Sequence, residues 1–190
     1  MKHGARKPRF RISLQTTLVT IAGLYASYFL NFIVPMDLRA YGIRPRDMGG
    51  LWGILCSPFL HGNYQHLLAN TGALFVLLMA AFAFSRKLTW IAILIISVVG
   101  GGLVWIFGTA NTIHIGASGI IFGLIGFLLF IGFFRREWTA FFVSLAICFL
   151  YGGALLSLLN VVPGISWSGH FFGFVAGVMA AWWTKVAKTS

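Results

Sequence analysis

The sequence predicts an all-α membrane protein, a bundle of six transmembrane helices, on three observations. Of its 190 residues, 59% are hydrophobic and only 9% are charged, whereas soluble domains average about 45–50% apolar and about 25% charged residues. The apolar residues occur in continuous blocks of about 20, the length that a helix needs to cross a hydrocarbon core of ~30 Å. The blocks lack the alternation of transmembrane strands, so helices are the remaining interpretation.

Six such blocks divide the chain. The predicted spans are Leu14–Val34, His61–Phe84, Leu88–Phe107, Gly116–Phe134, Trp138–Val161 and Trp167–Val186. We expect one transmembrane domain (14–186) between a basic cytoplasmic N-terminal arm (1–13) and a short cytoplasmic C-terminal tail (187–190). The first span exceeds the ~7–15-residue apolar core of a signal peptide and ends without a small-x-small cleavage site, so we expect it to be retained.

Basic residues predict the orientation of the bundle. All but three of the 14 Lys and Arg residues fall on one side of the predicted topology, and the exceptions are Arg39, Arg44 and Arg46. Cytoplasmic loops carry the excess of Lys and Arg, so both termini are predicted to be cytoplasmic. Chain size and the lack of targeting extensions favour a bacterial inner membrane. The net charge of +11 is explained by this orientation, so we expect a lipid bilayer as partner and no nucleic acid.

Polar side chains within the spans collect at one depth. Ionisable groups inside a membrane are costly and are functional candidates by default. None of them is a carboxylate here, because Asp37, Asp47 and Glu137 lie in loops or at a span end. Spans two, four and six all run from outside to inside, and each candidate lies near the start of its span. The candidates are His61, His66, Asn70, Ser118 and His170. Their convergence in the outer part of the membrane predicts a site.

Each candidate also has a purely structural interpretation. Ser118 precedes a GxxxG pair and could belong to a close helix contact. His66 and Asn70 are four residues apart, share a helix face and could form an interhelical hydrogen bond. His170 borders a stripe of glycines. His114 is expected to be an interfacial loop residue, with a role in shaping the site as the alternative. The gathering of four such groups at one depth favours a site over separate packing roles.

The residue types restrict the chemistry if the site hydrolyses peptide bonds. A metalloprotease helix pairs two histidines with a glutamate base, but no glutamate lies in a span, and His61 and His66 diverge around a helix. An aspartyl mechanism needs two facing carboxylates. A serine nucleophile with a histidine base remains, which predicts a Ser118–His170 dyad without metal or organic cofactor. Unpaired N–H groups at the start of the serine's helix would stabilise an oxyanion.

Three segments resemble the signature segments of the rhomboid intramembrane serine proteases. They are HGNYQHLLAN (61–70), GASG (116–119) and GHFFGFVAG (169–177), in the order of that family and on its spans two, four and six. The preceding GIRPRDMGGLWGILCSPFLHG (42–62) resembles the first loop of the family. GASG alone is a weak signal, whereas the three segments together are highly specific. The resemblance covers essentially the whole chain, in the minimal six-span form common in bacteria.

The resemblance implies a role for each matching residue. It makes Ser118 the nucleophile and His170 the general base, with His66, Asn70 and Ser118 forming the oxyanion hole. Supporting positions are His61, Gly116, Gly119 and Phe122. Phe122 stands where many members carry a tyrosine stacked on the catalytic imidazole, and the Trp-Arg pair of the first loop is missing, which leaves the anchoring of that loop open.

The implied function is hydrolysis of peptide bonds in or near transmembrane helices of other membrane proteins, on the outer side of the membrane. The alternative is a catalytically silent rhomboid-like protein that binds transmembrane helices, which the presence of both Ser118 and His170 disfavours. A transporter is disfavoured because the sequence shows neither paired broken helices nor an intramembrane carboxylate.

Overall fold

The computed structural model of the protein describes residues 6–160, 164 and 166–185, and this part of the chain is a helical bundle. Its six long helices are α1 (Arg6–Leu30), α2 (Tyr64–Phe84), α3 (Arg86–Phe107), α4 (Ser118–Arg135), α5 (Trp138–Leu156) and α6 (Trp167–Thr184). One π-type turn, Ile96–Gly100, interrupts α3. The prediction of an all-α bundle of six transmembrane helices is confirmed.

Helix boundaries follow the predicted spans except at α1. Helices α2, α3, α4 and α6 begin and end within three residues of the prediction, and α5 continues as a 3₁₀ turn, Ser157–Leu159. The predicted ends at Val161 and Val186 and the tail 187–190 lie outside the described residues. Helix α1 starts at Arg6 instead of Leu14, so the second half of the predicted arm is helical. Lys and Arg are good helix formers, and the helix therefore continues beyond the apolar block.

Four helices have the length and apolarity of a membrane span, which makes this an integral membrane protein. They are Tyr64–Phe84, Arg86–Phe107, Ser118–Arg135 and Trp138–Leu159. Helices α1 and α6, with 25 and 18 residues, are also long enough for a span but contain more polar residues. These two helices complete the bundle by packing, α1 against α2 and α6 along α4.

Helix α4 occupies the centre of the bundle. In its most apolar 18-residue window 56% of the residues are buried, against 11% for the window of α5. The contact of α4 with α6 is the most extensive between any two described elements, and glycines make it close. A Cβ atom on Gly173 would overlap the carbonyl oxygen of Gly119, and one on Gly177 would overlap that of Gly123. The two backbones therefore touch, which places the start of α6 directly beside the start of α4.

The segment between α1 and α2, residues 35–60, contains several short helical turns. They are Leu38–Tyr41, Met48–Gly50, Gly53–Cys56 and Ser57–Phe59. Asp37 and Asp47 cap the first two turns by accepting a hydrogen bond from a backbone N–H two residues on. The segment, called the first loop below, thus satisfies many of its own backbone groups, as a loop at a membrane surface requires.

Two side chains tie the first loop to the end of α3. The Arg46 guanidinium donates to the carbonyl oxygens of Ile106 (2.8 Å) and Gly108 (2.9 Å). The Trp105 indole N–H donates to the Asp47 carbonyl at 2.8 Å. A cation bound to the last carbonyls of a helix also interacts favourably with the negative end of its dipole. An arginine and a tryptophan thus anchor the first loop. Arg46 belongs to the loop and Trp105 to α3, so they do not form the Trp-Arg pair that is missing from the loop sequence.

The glycine contact of α4 with α6 can be tested by adding a single methyl group. Gly177→Ala is expected to lower the free energy of unfolding by about 1–3 kcal/mol, as in other overpacked cores, because its Cβ meets the Gly123 backbone. Gly153→Ala in α5 is the matched control, since nothing lies within 4 Å of its Cβ position and alanine favours a helix. Thermal unfolding in detergent micelles measures both variants. Equal melting temperatures for the two would contradict the close contact.

Candidate active site

The turn that enters α4 lies directly on the polar face of α2. Gly116 has a φ of +112°, a conformation that favours glycine. A Cβ atom there would lie 2.6 Å from His66 Cε1 and 3.4 Å from Asn70 Nδ2, so glycine is also the only residue for which there is room. The absence of a side chain at this position allows the backbone just before Ser118 to rest against both polar side chains of α2.

His61 orients the amide of Asn70. Both residues are buried, with 3% and 6% of their surface exposed. His61 Nδ1 faces the Phe59 carbonyl at 3.4 Å, and His61 Nε2 lies 3.0 Å from Asn70 Nδ2. A carbonyl only accepts, so the ring proton belongs on Nδ1, and Nε2 accepts from the Asn70 amide. Asn70 thus keeps its second amide N–H available.

The His170 ring is held by an aromatic stack. Phe122 lies 4.2 Å from it between ring centroids, with an interplanar angle of 14°. Phe122 is buried and sits one helical turn after Ser118 on α4. One face of α4 therefore carries both the serine and the ring that holds the histidine of α6.

Ser118 is the first residue of α4, and no side chain caps this end of the helix. The first N–H groups of a helix lack intrahelical partners and lie at the positive end of its dipole. Across the helix contact, a Cβ atom on Gly119 would lie 3.5 Å from the Gly169 carbonyl oxygen. Ser118 and His170 are thus neighbours in adjacent first turns, but among the described contacts no hydrogen bond joins the hydroxyl to the ring. Catalytic hydrogen bonds are often long before substrate binds.

A small cavity of about 50 Å³ borders Ser118. Besides Ser118, its polar lining consists of side chains outside the predicted set of site residues, namely Ser57, Ser97, His114 and Ser166. One ordered water needs at least about 10–15 Å³ of such volume, so the cavity is large enough to hold water. Water in it would lie beside Ser118, whereas His66, Asn70 and His170 do not line this cavity.

His114 lies in the loop between α3 and α4, as expected, but its side chain is buried. Only 9% of its surface is exposed, because its backbone pairs with Ile43 of the first loop in both directions, at 2.9 and 3.0 Å. The Gly116 N–H also donates to the Ser57 carbonyl at 2.8 Å. The first loop thus packs around the connection into α4. No local sequence pattern predicts the pairing of Ile43 with His114, because these residues are about 70 positions apart.

Comparison with known proteins places this architecture in a family. The Rhomboid domain family model matches residues 48–186. An uncharacterized protein of Mycobacterium tuberculosis (strain ATCC 25618 / H37Rv) is 41% identical over 187 residues, which cover 93% of this chain and 77% of that protein. YdcA of Bacillus subtilis (strain 168), provisionally named as a rhomboid protease, is 32% identical over 182 residues, 88% of each chain.

A plant relative extends the comparison. RHOMBOID-like protein 5 of Arabidopsis thaliana is 32% identical over 152 residues, which cover 74% of this chain and 47% of its own length. The family match begins within the first loop and runs through α2 to α6, so it contains every candidate site residue. On the extent of this match, the chain belongs to the rhomboid family.

Proposed function

We propose that the protein is an intramembrane serine endopeptidase that hydrolyses peptide bonds in or near the transmembrane helices of other membrane proteins. The observation that carries the proposal is the position of Ser118 at the uncapped start of α4. There it lies between the His66 and Asn70 face of α2 and the first turn of α6, which bears His170. A nucleophile, a base and oxyanion donors thus converge from three helices, as acyl transfer requires.

In the acylation step, His170 takes the proton of the Ser118 hydroxyl while Oγ attacks the scissile carbonyl carbon. The oxyanion that forms accepts hydrogen bonds from N–H groups of the first turn of α4, from the free Asn70 amide N–H and from the His66 ring. His170 then gives its proton to the departing amine, which breaks the peptide bond and leaves an acyl-serine.

In the deacylation step, His170 takes a proton from a water molecule, whose oxygen attacks the acyl carbon. His170 then returns this proton to Ser118 Oγ as the acyl bond breaks, which releases the new carboxyl terminus and regenerates the serine hydroxyl. The cavity beside Ser118 is a source of this water within the bundle. The Phe122 ring keeps the imidazole plane in place by stacking, and no carboxylate is needed to orient it.

The same proposal assigns orientation and substrate. Both termini are cytoplasmic, and the site opens to the outside of a bacterial inner membrane. Substrates are membrane helices with small or polar residues near the cut, because these weaken the helix and free a peptide bond from its hydrogen bonds. Helix α5 has the least buried apolar window of the four candidate spans and is the side from which such a helix would approach.

Removal of either dyad residue tests the activity. Ser118→Ala and His170→Ala are expected to abolish cleavage of a transmembrane substrate, a loss on the order of 10⁶ in kcat for serine proteases. They should also abolish labelling by a fluorophosphonate probe, which reacts with an activated serine. Ser27→Ala in α1 is the control and should retain both.

If the parent protein fails to label while an active rhomboid protease labels under the same conditions, the protein is not a serine protease. Binding of transmembrane helices that is unchanged in Ser118→Ala would then favour the catalytically silent alternative.

The oxyanion role of Asn70 has its own test. Asn70→Ala is expected to lower kcat by about 10²–10³-fold, the effect of losing one preorganised donor. The variant should still fold, with a lower melting temperature because the buried His61 Nε2 loses its partner. Thr71→Ala is the matched control on α2, because its hydroxyl bonds to Leu67 and Tyr25 instead. Equal kcat values for Asn70→Ala and the parent would remove Asn70 from the oxyanion hole.

The stack on His170 can be varied without touching the dyad. Phe122→Tyr preserves the ring and should retain kcat within about twofold, whereas Phe122→Ala removes the stack. An aromatic pair contributes about 0.5–1.5 kcal/mol, so kcat of the alanine variant should fall by about 2- to 12-fold. Phe133→Ala, at a position 75% exposed on the same helix, is the control. A rate unchanged in Phe122→Ala would show that the ring does not position His170.

A further inference from the structure

A hydrogen bond joins the two segments that lead into the active-site helices. His114 Nδ1 lies 2.7 Å from Ser166 Oγ. His114 precedes Ser118 by four residues, and Ser166 precedes His170 by the same four residues. Both side chains line the cavity beside Ser118. This contact, called the clasp below, thus connects the start of α4 to the start of α6 on the side of the cavity.

The proton positions in the clasp follow from counting donors. The Thr112 hydroxyl lies 2.6 Å from the Thr109 carbonyl, which only accepts, so Thr112 donates its single proton there. His114 Nε2, 2.9 Å from the same hydroxyl, must therefore carry a proton and donate it. Burial lowers the pKa of His114, which favours the neutral ring. Its Nδ1 is then free to accept.

The Ser166 hydroxyl is the donor in the hydrogen bond to His114. Its oxygen accepts from the Gly169 N–H at 3.2 Å and caps the first turn of α6. Its hydroxyl proton is thus free to be donated to His114 Nδ1. In this series of hydrogen bonds from the Gly169 N–H to the Thr109 carbonyl, each donor has one acceptor. The series requires the Nε2–H tautomer of His114.

The backbone on the His114 side of the clasp is held firmly. His114 exchanges two hydrogen bonds with Ile43 of the first loop, at 2.9 and 3.0 Å. The first loop is in turn bound to the end of α3 through Arg46. A side chain mounted on such a fixed backbone can hold a helix start in place.

We propose that His114 and Ser166 are positioning residues, whose hydrogen bond sets the spacing of Ser118 and His170 and closes one wall of the water cavity. The proposal rests on the protease function proposed above. Neither residue touches the reacting atoms; both act through the first turns of α4 and α6. Displacement of catalytic groups by about 1 Å can cost about 100-fold in rate, so loss of the clasp should lower kcat and leave KM unchanged.

Kinetics of four variants test the positioning role. His114→Phe and Ser166→Ala should each lower kcat by about 10- to 100-fold with KM within about twofold, and the double variant should be no slower than the slower single variant. Ser166→Ala also removes the helix cap. It does so with either His114 or Phe at position 114, so the double-mutant cycle isolates the coupling between His114 and Ser166. Ser166→Thr retains the hydroxyl and should restore kcat.

Asn111→Gly is the control for changes in the same loop. Asn111 is exposed and has a φ of +60°, which glycine adopts without strain, so kcat should match the parent. Parent-like kcat in His114→Phe would overturn the proposal. The proposal would also be overturned if the fold-loss in kcat of the double variant equalled the product of the two single fold-losses, because the two residues would then act independently.

A measurement without turnover separates this proposal from the proposed function. In the His114→Phe variant the amides of the first turn of α6 should exchange hydrogen faster, with the C-terminal half of α6 unchanged. Nitrogen NMR of the His114 ring in Ser118→Ala should show the Nε2–H tautomer. The Nδ1–H tautomer, or unchanged exchange, would overturn the clasp even if the parent is an active protease. If the parent neither reacts with the fluorophosphonate probe nor cleaves a substrate, the protease function and the catalytic role of the clasp are both refuted. Amide hydrogen exchange would still show whether the His114–Ser166 bond orders the start of α6.

Discussion

The backbone contact of α4 with α6 is the constraint on which the site depends. In a bilayer, lipid is as apolar as a helix surface, so helices associate through close packing and polar contacts more than through the hydrophobic effect. Gly119 against Gly173 and Gly123 against Gly177 bring the two backbones together. Ser118 and His170 come from these helices, so their separation is determined by the packing. Any side chain at the contact would separate the helices and, with them, the serine and the histidine.

A second constraint is the polar backbone around the start of α4. Irregular backbone is costly in a membrane protein unless its N–H and C=O groups are paired. The first loop supplies partners, with Ile43 pairing with His114 and Ser57 with Gly116. Arg46 in turn binds the loop to the end of α3. The loop therefore belongs to the support of the site, and its short turns exist largely to satisfy its own backbone.

Neutral contacts hold three of the polar side chains in and around the site. Phe122 holds His170 by stacking, His61 holds the Asn70 amide, and Ser166 contacts His114. A carboxylate in these places would carry a charge that is expensive to bury without a paired cation. The described spans contain no carboxylate within the membrane. The arrangement is thus suited to a low-dielectric environment, in which a stack or a neutral hydrogen bond positions a ring at a smaller desolvation penalty than a buried charge.

The sequence by itself determined which segments cross the membrane and which residue types gather at one end of the bundle. Hydropathy is a local property, so the ends of α2, α3, α4 and α6 agree with the predicted spans. Only the tertiary structure decided the pairs His61–Asn70 and His114–Ser166, the anchoring by Arg46 and the absence of a Ser118–His170 bond. A local pattern records whether a side chain prefers lipid or water, whereas a pair separated by 52 residues, as in the clasp, depends on how the helices pack.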